Sequence, residues 1–302
     1  MQRREFLAFV SVTALAATLA PGCQRRPRRD RVGLALGGGG ARGLAHVPML
    51  EVLDELGIRP YRIAGSSIGA VMGVLYAAGL SGASIRALVD RYTVSADESW
   101  LGSLFREDIV GWLRLIKPDL GRGGLIDSAP FVRFLEETTG CSRFADLQRP
   151  LAVVTADFWR RDQVVFEDGP LAPAVQASIA IPGLFPAVEY DGRTLVDGGL
   201  VNPVPYDLLL DDCDLVVAVD VLGGRTPQGD DGPSVFESTF NGFQIMQDAL
   251  VREKLARRPP QVYVRPPLEN VRVLEFYKVD EIYRQSLPAQ QRLRRALVER
   301  LG

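Results

Sequence analysis

The chain has 302 residues, 35 Lys+Arg against 37 Asp+Glu for a formal net charge of −2, and 47% hydrophobic residues, with one histidine and three cysteines. Those counts exclude a disulfide-stapled scaffold, a Cys/His zinc cluster and any choice among histidines for a catalytic base. Arginines crowd into the first 31 residues and the rest of the chain is net acidic, which gives nucleic acid no phosphate-seeking face.

Residues 1–22 read as a signal peptide. Arg3-Arg4 precede an apolar run from Phe6 to Ala20, then Pro21-Gly22-Cys23 and a basic tail. At about 1.5 Å rise per residue that run is too short for a hydrocarbon core of about 30 Å, so a cleaved signal fits better than a permanent span. Arg3-Arg4-Glu5-Phe6-Leu7 resembles a twin-arginine export signal, and Gly22-Cys23 resembles a bacterial lipoprotein cleavage site with Cys23 as lipid anchor. The expectation is an exported, periplasmic or cell-envelope protein, anchored at the membrane, with 23–31 as a basic spacer that could touch anionic headgroups. Cys141 and Cys213 are left either to pair or to stand as buried thiols.

Residues 32–302 read as one domain of alternating strands and helices. Val32 to Leu36 is a short buried strand, and Leu44, Val47, Leu50, Leu53 and Leu56 share one side of a helix. A strand ending near Ala64 turns into a small-residue helix reaching about Gly79. Further strands are expected at Leu151 to Thr155, Gln163 to Glu167 and Leu215 to Val219, with a hairpin turn at Asp191-Gly192. Long helices from about Val235 to Ala256 and Leu274 to Leu301 close the chain. Strands separated by helices imply a mainly parallel sheet covered on both faces.

The first chemical signal is Gly37-Gly38-Gly39-Gly40-Ala41-Arg42-Gly43, between a strand and a helix, where consecutive glycines expose several backbone N–H groups to a negative charge. Gly38, Gly40 and Gly43 also form G-x-G-x-x-G, so a dinucleotide-binding turn must be weighed. The acidic residue which that fingerprint wants about twenty positions on is missing at Arg62-Ile63-Ala64-Gly65. The second signal is Gly65-Ser66-Ser67-Ile68-Gly69, a G-x-S-x-G at a strand-to-helix turn, which holds the Ser67 hydroxyl outward while glycines spare collisions.

A serine hydrolase usually draws its base from a downstream histidine, but the only histidine, His46, lies upstream in the first helix and is better read as a capping or packing residue. A carboxylate acting directly on the serine is the economical alternative, with Asp157, Asp197 and Asp220 as candidates at strand ends. Asp197 is followed by Gly198-Gly199, which lets another stretch of backbone approach closely. A plain turn at Asp197-Gly198 is the other reading.

In this order the GGGARG nest, the GSSIG elbow and the DGG turn resemble the patatin-like phospholipases, and Leu34 to Gly79 with Ser178 to Val221 resemble the bacterial branch related to neuropathy target esterase. That resemblance implies a three-layer α/β/α sandwich and a Ser-Asp dyad, with Ser67 as nucleophile and Asp197 as general base. It implies an oxyanion hole from Gly38, Gly39 and Gly40, with Arg42 ordering the loop or meeting substrate phosphate. Gly43, Gly65, Gly69, Gly198 and Gly199 would support the motifs. No metal and no cofactor are implied; the substrate would be a phospholipid or lysophospholipid. An aspartate needs a dry site to become an adequate base for a hydroxyl. The apolar stretch from Trp100 to Ile116 could be a lid or membrane-facing element, or ordinary core. A nucleotide-binding oxidoreductase and a catalytically idle membrane-surface protein are the alternatives from other functional classes.

Overall fold

The computed structural model describes residues 31–92, 117–118, 126–224, 226 and 235–301. The signal peptide, Cys23 and the stretch from Trp100 to Ile116 lie outside the described residues. The strands are β1 (Val32–Leu36), β2 (Arg62–Ser66), the short pair β3 (Lys117–Pro118) and β4 (Ile126–Asp127), β5 (Leu151–Asp157), β6 (Gln163–Phe166), β7 (Val188–Tyr190), β8 (Arg193–Asp197), β9 (Leu215–Val219) and β10 (Val262–Val264). The helices are α1 (His46–Glu55), α2 (Ile68–Ala77), α3 (Gly82–Tyr92), α4 (Ala129–Thr139), α5 (Leu171–Ser178), α6 (Val235–Arg257) and α7 (Val279–Leu301).

The main sheet runs β10-β9-β1-β2-β5-β8-β7, with β6 also on β5. From β10 to β5 every pairing is parallel, as expected for buried apolar runs such as VGLAL and LVVAV. Beyond β5 the sheet turns antiparallel, through β6, β8 and β7. Tyr190 pairs with Arg193 across Asp191 and Gly192, both with positive φ (48° and 69°), the two-residue hairpin that Asp-Gly favours.

Period-two alternation divides the core between two faces. Leu34, Leu36, Ile63, Val153, Val217 and Val219 pack with α1, α2 and α7 on one side. Ala35, Ala64, Ala152, Val216 and Ala218 meet Val204, Tyr206, Leu209 and Val251 on the other. The alanines let the irregular 203–210 segment and α6 lie close against the strands, completing three layers. Cys141 and Cys213 are separate, buried, free thiols.

Candidate active site

The registers on β5 bring the two key strand ends together. β2 lies against Leu151–Val154 and β8 against Thr155–Asp157, while β6 covers Val153–Ala156 and so overlaps both. A strand has two edges, so β2 and β8 must share the edge that β6 leaves. They run toward each other along it: Ser66 stands opposite Val154, and Asp197 opposite Thr155, the next residue. The residue after β2 and the last residue of β8 therefore meet.

There Ser67 Oγ donates to Asp197 Oδ2 at 2.6 Å. Ser67 holds φ 55° and ψ −129° at the start of α2, a sparsely populated positive-φ conformation costing about 1–3 kcal/mol for a side-chain-bearing residue. Its surroundings enforce it. The Ser67 N–H donates to Ser178 Oγ at 2.9 Å, and that hydroxyl donates to Val154 O at 2.7 Å. A Cβ on Gly69 would stand 2.0 Å from Leu36 O, and one on Gly65 2.5 Å from Gly69 O, so the tight elbow needs both glycines.

Asp197 is held from two sides: its N–H donates to Ala180 O at 3.0 Å, and its Oδ1 accepts the Gly199 N–H at 2.7 Å. A Cβ on Gly198 would fall 2.1 Å from Val154 O, and one on Gly199 2.6 Å from Gln247 Nε2. Ser67 and Asp197 are only 5% and 4% exposed. Burial pushes the Asp197 carboxyl up from 3.8 to about 7, although the bonds from Ser67 and Gly199 pull it down.

The glycine loop after β1 is pinned at three points, where Gly37, Gly38 and Ala41 donate their N–H groups to Val219 O, Pro203 O and Val273 O at 2.9, 2.9 and 2.8 Å. None of these bonds uses Gly39 or Gly40, and both residues line a pocket with Ser67. Of the three expected oxyanion donors, Gly38 is thus the one whose N–H is already engaged, tying the loop to the segment after Asp197. A Cβ on Gly38 would stand 3.1 Å from Ser67 Cβ. Gly43 packs against Ile68, where a Cβ would come within 2.3 Å.

Arg42 is 1% exposed, and its Nε donates to Gly39 O at 3.3 Å. With its amide oxygen turned inward, Gln244 accepts from Arg42 Nη1 at 3.1 Å. The guanidinium therefore braces the loop from beneath. His46 is fully buried, its Nε2–H donating to Gly37 O at 2.8 Å, and burial lowers its pKa to about 4. The other two carboxylates serve turns. Asp157 Oδ1 accepts from the N–H groups of Trp159 and Arg160, and Asp220 accepts from Leu222 N–H and the Tyr263 hydroxyl.

Two pockets open from Ser67. One is walled by apolar side chains including Ile68, Val71, Phe131, Ile179 and Phe185. The other is bordered by Gly38, Gly39, Arg42, Asp197, Gln244 and Gln247. Ser178 opens a stretch that carries the family resemblance, but its bond to the Ser67 N–H was not foreseen, and two further supporting residues carry no motif. Gln247 donates to Gly199 O at 3.0 Å. Lys254 donates to Asn202 Oδ1 at 2.5 Å, to Val204 O at 2.9 Å and to Asp207, clamping the segment that follows Asp197. A lone lysine on α6 in a chain with few lysines was the available hint for the last.

Residues 34–210 match the family model described as patatin-like phospholipase. An uncharacterized NTE family protein of Mycobacterium tuberculosis is 35% identical over 229 residues, covering 75% of this chain and 59% of that protein. A lysophospholipase of Candida glabrata is 30% identical over 277 residues, covering 84% of this chain and 15% of that protein. The chain thus spans less than two thirds of the length of these relatives. Among solved structures, VipD from Legionella pneumophila superimposes with a TM-score of 0.51 at 16% identity, over 88% of this chain and 67% of that one, and shares the fold.

Proposed function

Because the chain belongs to the patatin-like phospholipase family, we propose that it is a serine acyl hydrolase that cleaves acyl esters of phospholipids or lysophospholipids with a Ser67-Asp197 dyad. The observation that carries this reading is the 2.6 Å bond from Ser67 Oγ to Asp197 Oδ2 inside a buried pair. Asp197 accepts the hydroxyl proton as Ser67 attacks the ester carbonyl, and the carboxylate is basic enough because its site is dry. Negative charge on the carbonyl oxygen is met by the Gly39 and Gly40 N–H groups, with the amino end of α2 adding its positive field. Asp197 then returns the proton to the leaving alcohol. Water, deprotonated by the same carboxylate, attacks the acyl-serine and releases fatty acid and free Ser67.

The apolar pocket suits the acyl chain and the pocket beside Arg42 the glycerol side of the ester. Arg42 acts on the loop rather than on a phosphate in this reading, since its guanidinium is buried. The relative named a lysophospholipase supports a single-chain substrate. Export and anchoring through Cys23 would place the enzyme at the cell envelope, in reach of lipid.

Hydrolysis of lysophosphatidylcholine tests the proposal. Ser67→Ala and Asp197→Asn should each abolish fatty-acid release; activity surviving in Ser67→Ala would overturn it.

A further inference from the structure

The hairpin between β5 and β6 ends in Phe158-Trp159-Arg160-Arg161, residues that the proposed chemistry does not use. β5 runs parallel to β2, so its end points to the same edge of the sheet as Ser67. Thr155 is level with Asp197, and at about 3.3 Å per residue Phe158 stands about 10 Å beyond the catalytic level.

The tip is rigidly built. Buried Asp157 accepts the N–H groups of Trp159 and Arg160 at 3.1 and 2.9 Å through Oδ1, and its carbonyl accepts that of Arg161 at 2.8 Å. Phe158 N–H donates to Thr194 O at 2.8 Å, locking the turn to β8. The side chains so presented have no core to join. Trp159 is 74% exposed and Phe158 46%, their rings edge to face at 4.9 Å. Arg160 is 61% exposed beside them, and Arg161 also faces solvent. Leu274, on the wall of the apolar pocket, is a further large apolar side chain exposed at the mouth.

Exposed aromatic pairs flanked by arginines suit the boundary of a bilayer, where rings enter the headgroup layer and guanidiniums bind phosphate. We propose that the 158–161 tip docks the protein on an anionic lipid bilayer, with Trp159 and Phe158 inserted, Arg160 and Arg161 on lipid phosphates, and the mouth over Ser67 turned to the membrane. The choice of a lipid surface over a protein partner rests on the lipid-hydrolase reading.

The test uses the full chain with vesicles of phosphatidylcholine and phosphatidylglycerol, with and without brominated acyl chains. Brominated lipid should quench the wild type more than Trp159→Phe, the difference reporting Trp159 alone. Arg160→Gln with Arg161→Gln should weaken binding to these vesicles roughly fivefold per arginine. Phe158→Ser with Trp159→Ser should cut hydrolysis of vesicle-borne lysolipid about tenfold while turnover of a soluble short-chain ester stays unchanged. Equal quenching in wild type and Trp159→Phe would overturn the docking proposal and leave the tip to a protein partner, as would parallel loss of both activities. A wild type that hydrolyses neither ester would overturn the catalytic reading, and quenching would still decide the docking.

Discussion

His46 donates its Nε2–H to the carbonyl of Gly37 at 2.8 Å, so the only imidazole in the chain is a tether on the glycine loop. Its ring is buried and its pKa is lowered to about 4, leaving it neutral at physiological pH, while the Ser67 proton is directed to Asp197. His46→Ala should therefore keep much of the ester hydrolysis, losing no more than about tenfold through a looser loop. Its kcat/KM against pH should keep the wild-type shape. A lost acidic limb would make His46 the base.

Asp197 sets that limb. It must be ionised to accept the serine proton, so kcat/KM should fall about tenfold per pH unit below about 7, the value to which burial raises it. Stability has the opposite sense. The folded value lies above the unfolded 3.8, so the native state holds the extra proton between those values, and this stabilisation is lost as pH rises through about 7. Asp197→Asn should be inactive yet more stable at pH 8, by up to about 4 kcal/mol. Denaturant unfolding of both forms at pH 5 and pH 8 checks this: the gain should appear mainly at pH 8.

The elbow tolerates no side chain at its second glycine. The Cβ of Gly69→Ala would meet Leu36 O at 2.0 Å and Gly37 O at 2.7 Å, both backbone atoms that cannot swing away. The variant should lose at least about 3 kcal/mol or fail to fold. Gly57→Ala is the control: its Cβ meets nothing within 4 Å, so its cost should be limited to its positive φ. Thermal unfolding of the two variants compares them directly.

Much of this was legible in the chain because close backbone approach demands glycine, and glycine is visible in a sequence. The strand-glycine-helix pattern located the loop at 37–43 and the elbow at 65–69. The three aspartates were harder to separate. Asp157 and Asp197 end strands, Asp220 directly follows one, and each accepts N–H groups of the following turn. What distinguishes Asp197 is the register of β8 on β5, a pairing between segments about 40 residues apart that no local pattern encodes. The motif order pointed to it through family resemblance instead. The antiparallel outer strands were hidden for a related reason: runs as short as Val188–Tyr190 do not declare their direction.

Lys254 illustrates support that comes from afar. Its ammonium lies over the Tyr206 ring, 4.6 Å from the centroid, and bonds Asn202 and Val204 O, on either side of the Pro203 carbonyl that holds Gly38. Lys254→Met should destabilise the protein by about 1–3 kcal/mol and slow hydrolysis by loosening both loops, with the position of the pH limb unchanged. Measuring the pH profile beside kcat separates this positioning role from any effect on the Asp197 proton.

The central claim is that Ser67 is a nucleophile activated by Asp197, and covalent labelling tests it most directly. A fluorophosphonate probe incubated with the full chain and read by intact mass should add one adduct, mapped to Ser67 by peptide analysis. Labelling should vanish in Ser67→Ala, slow at least about a hundredfold in Asp197→Asn, and persist in His46→Ala. An adduct elsewhere, or undiminished labelling in Asp197→Asn, would contradict the dyad.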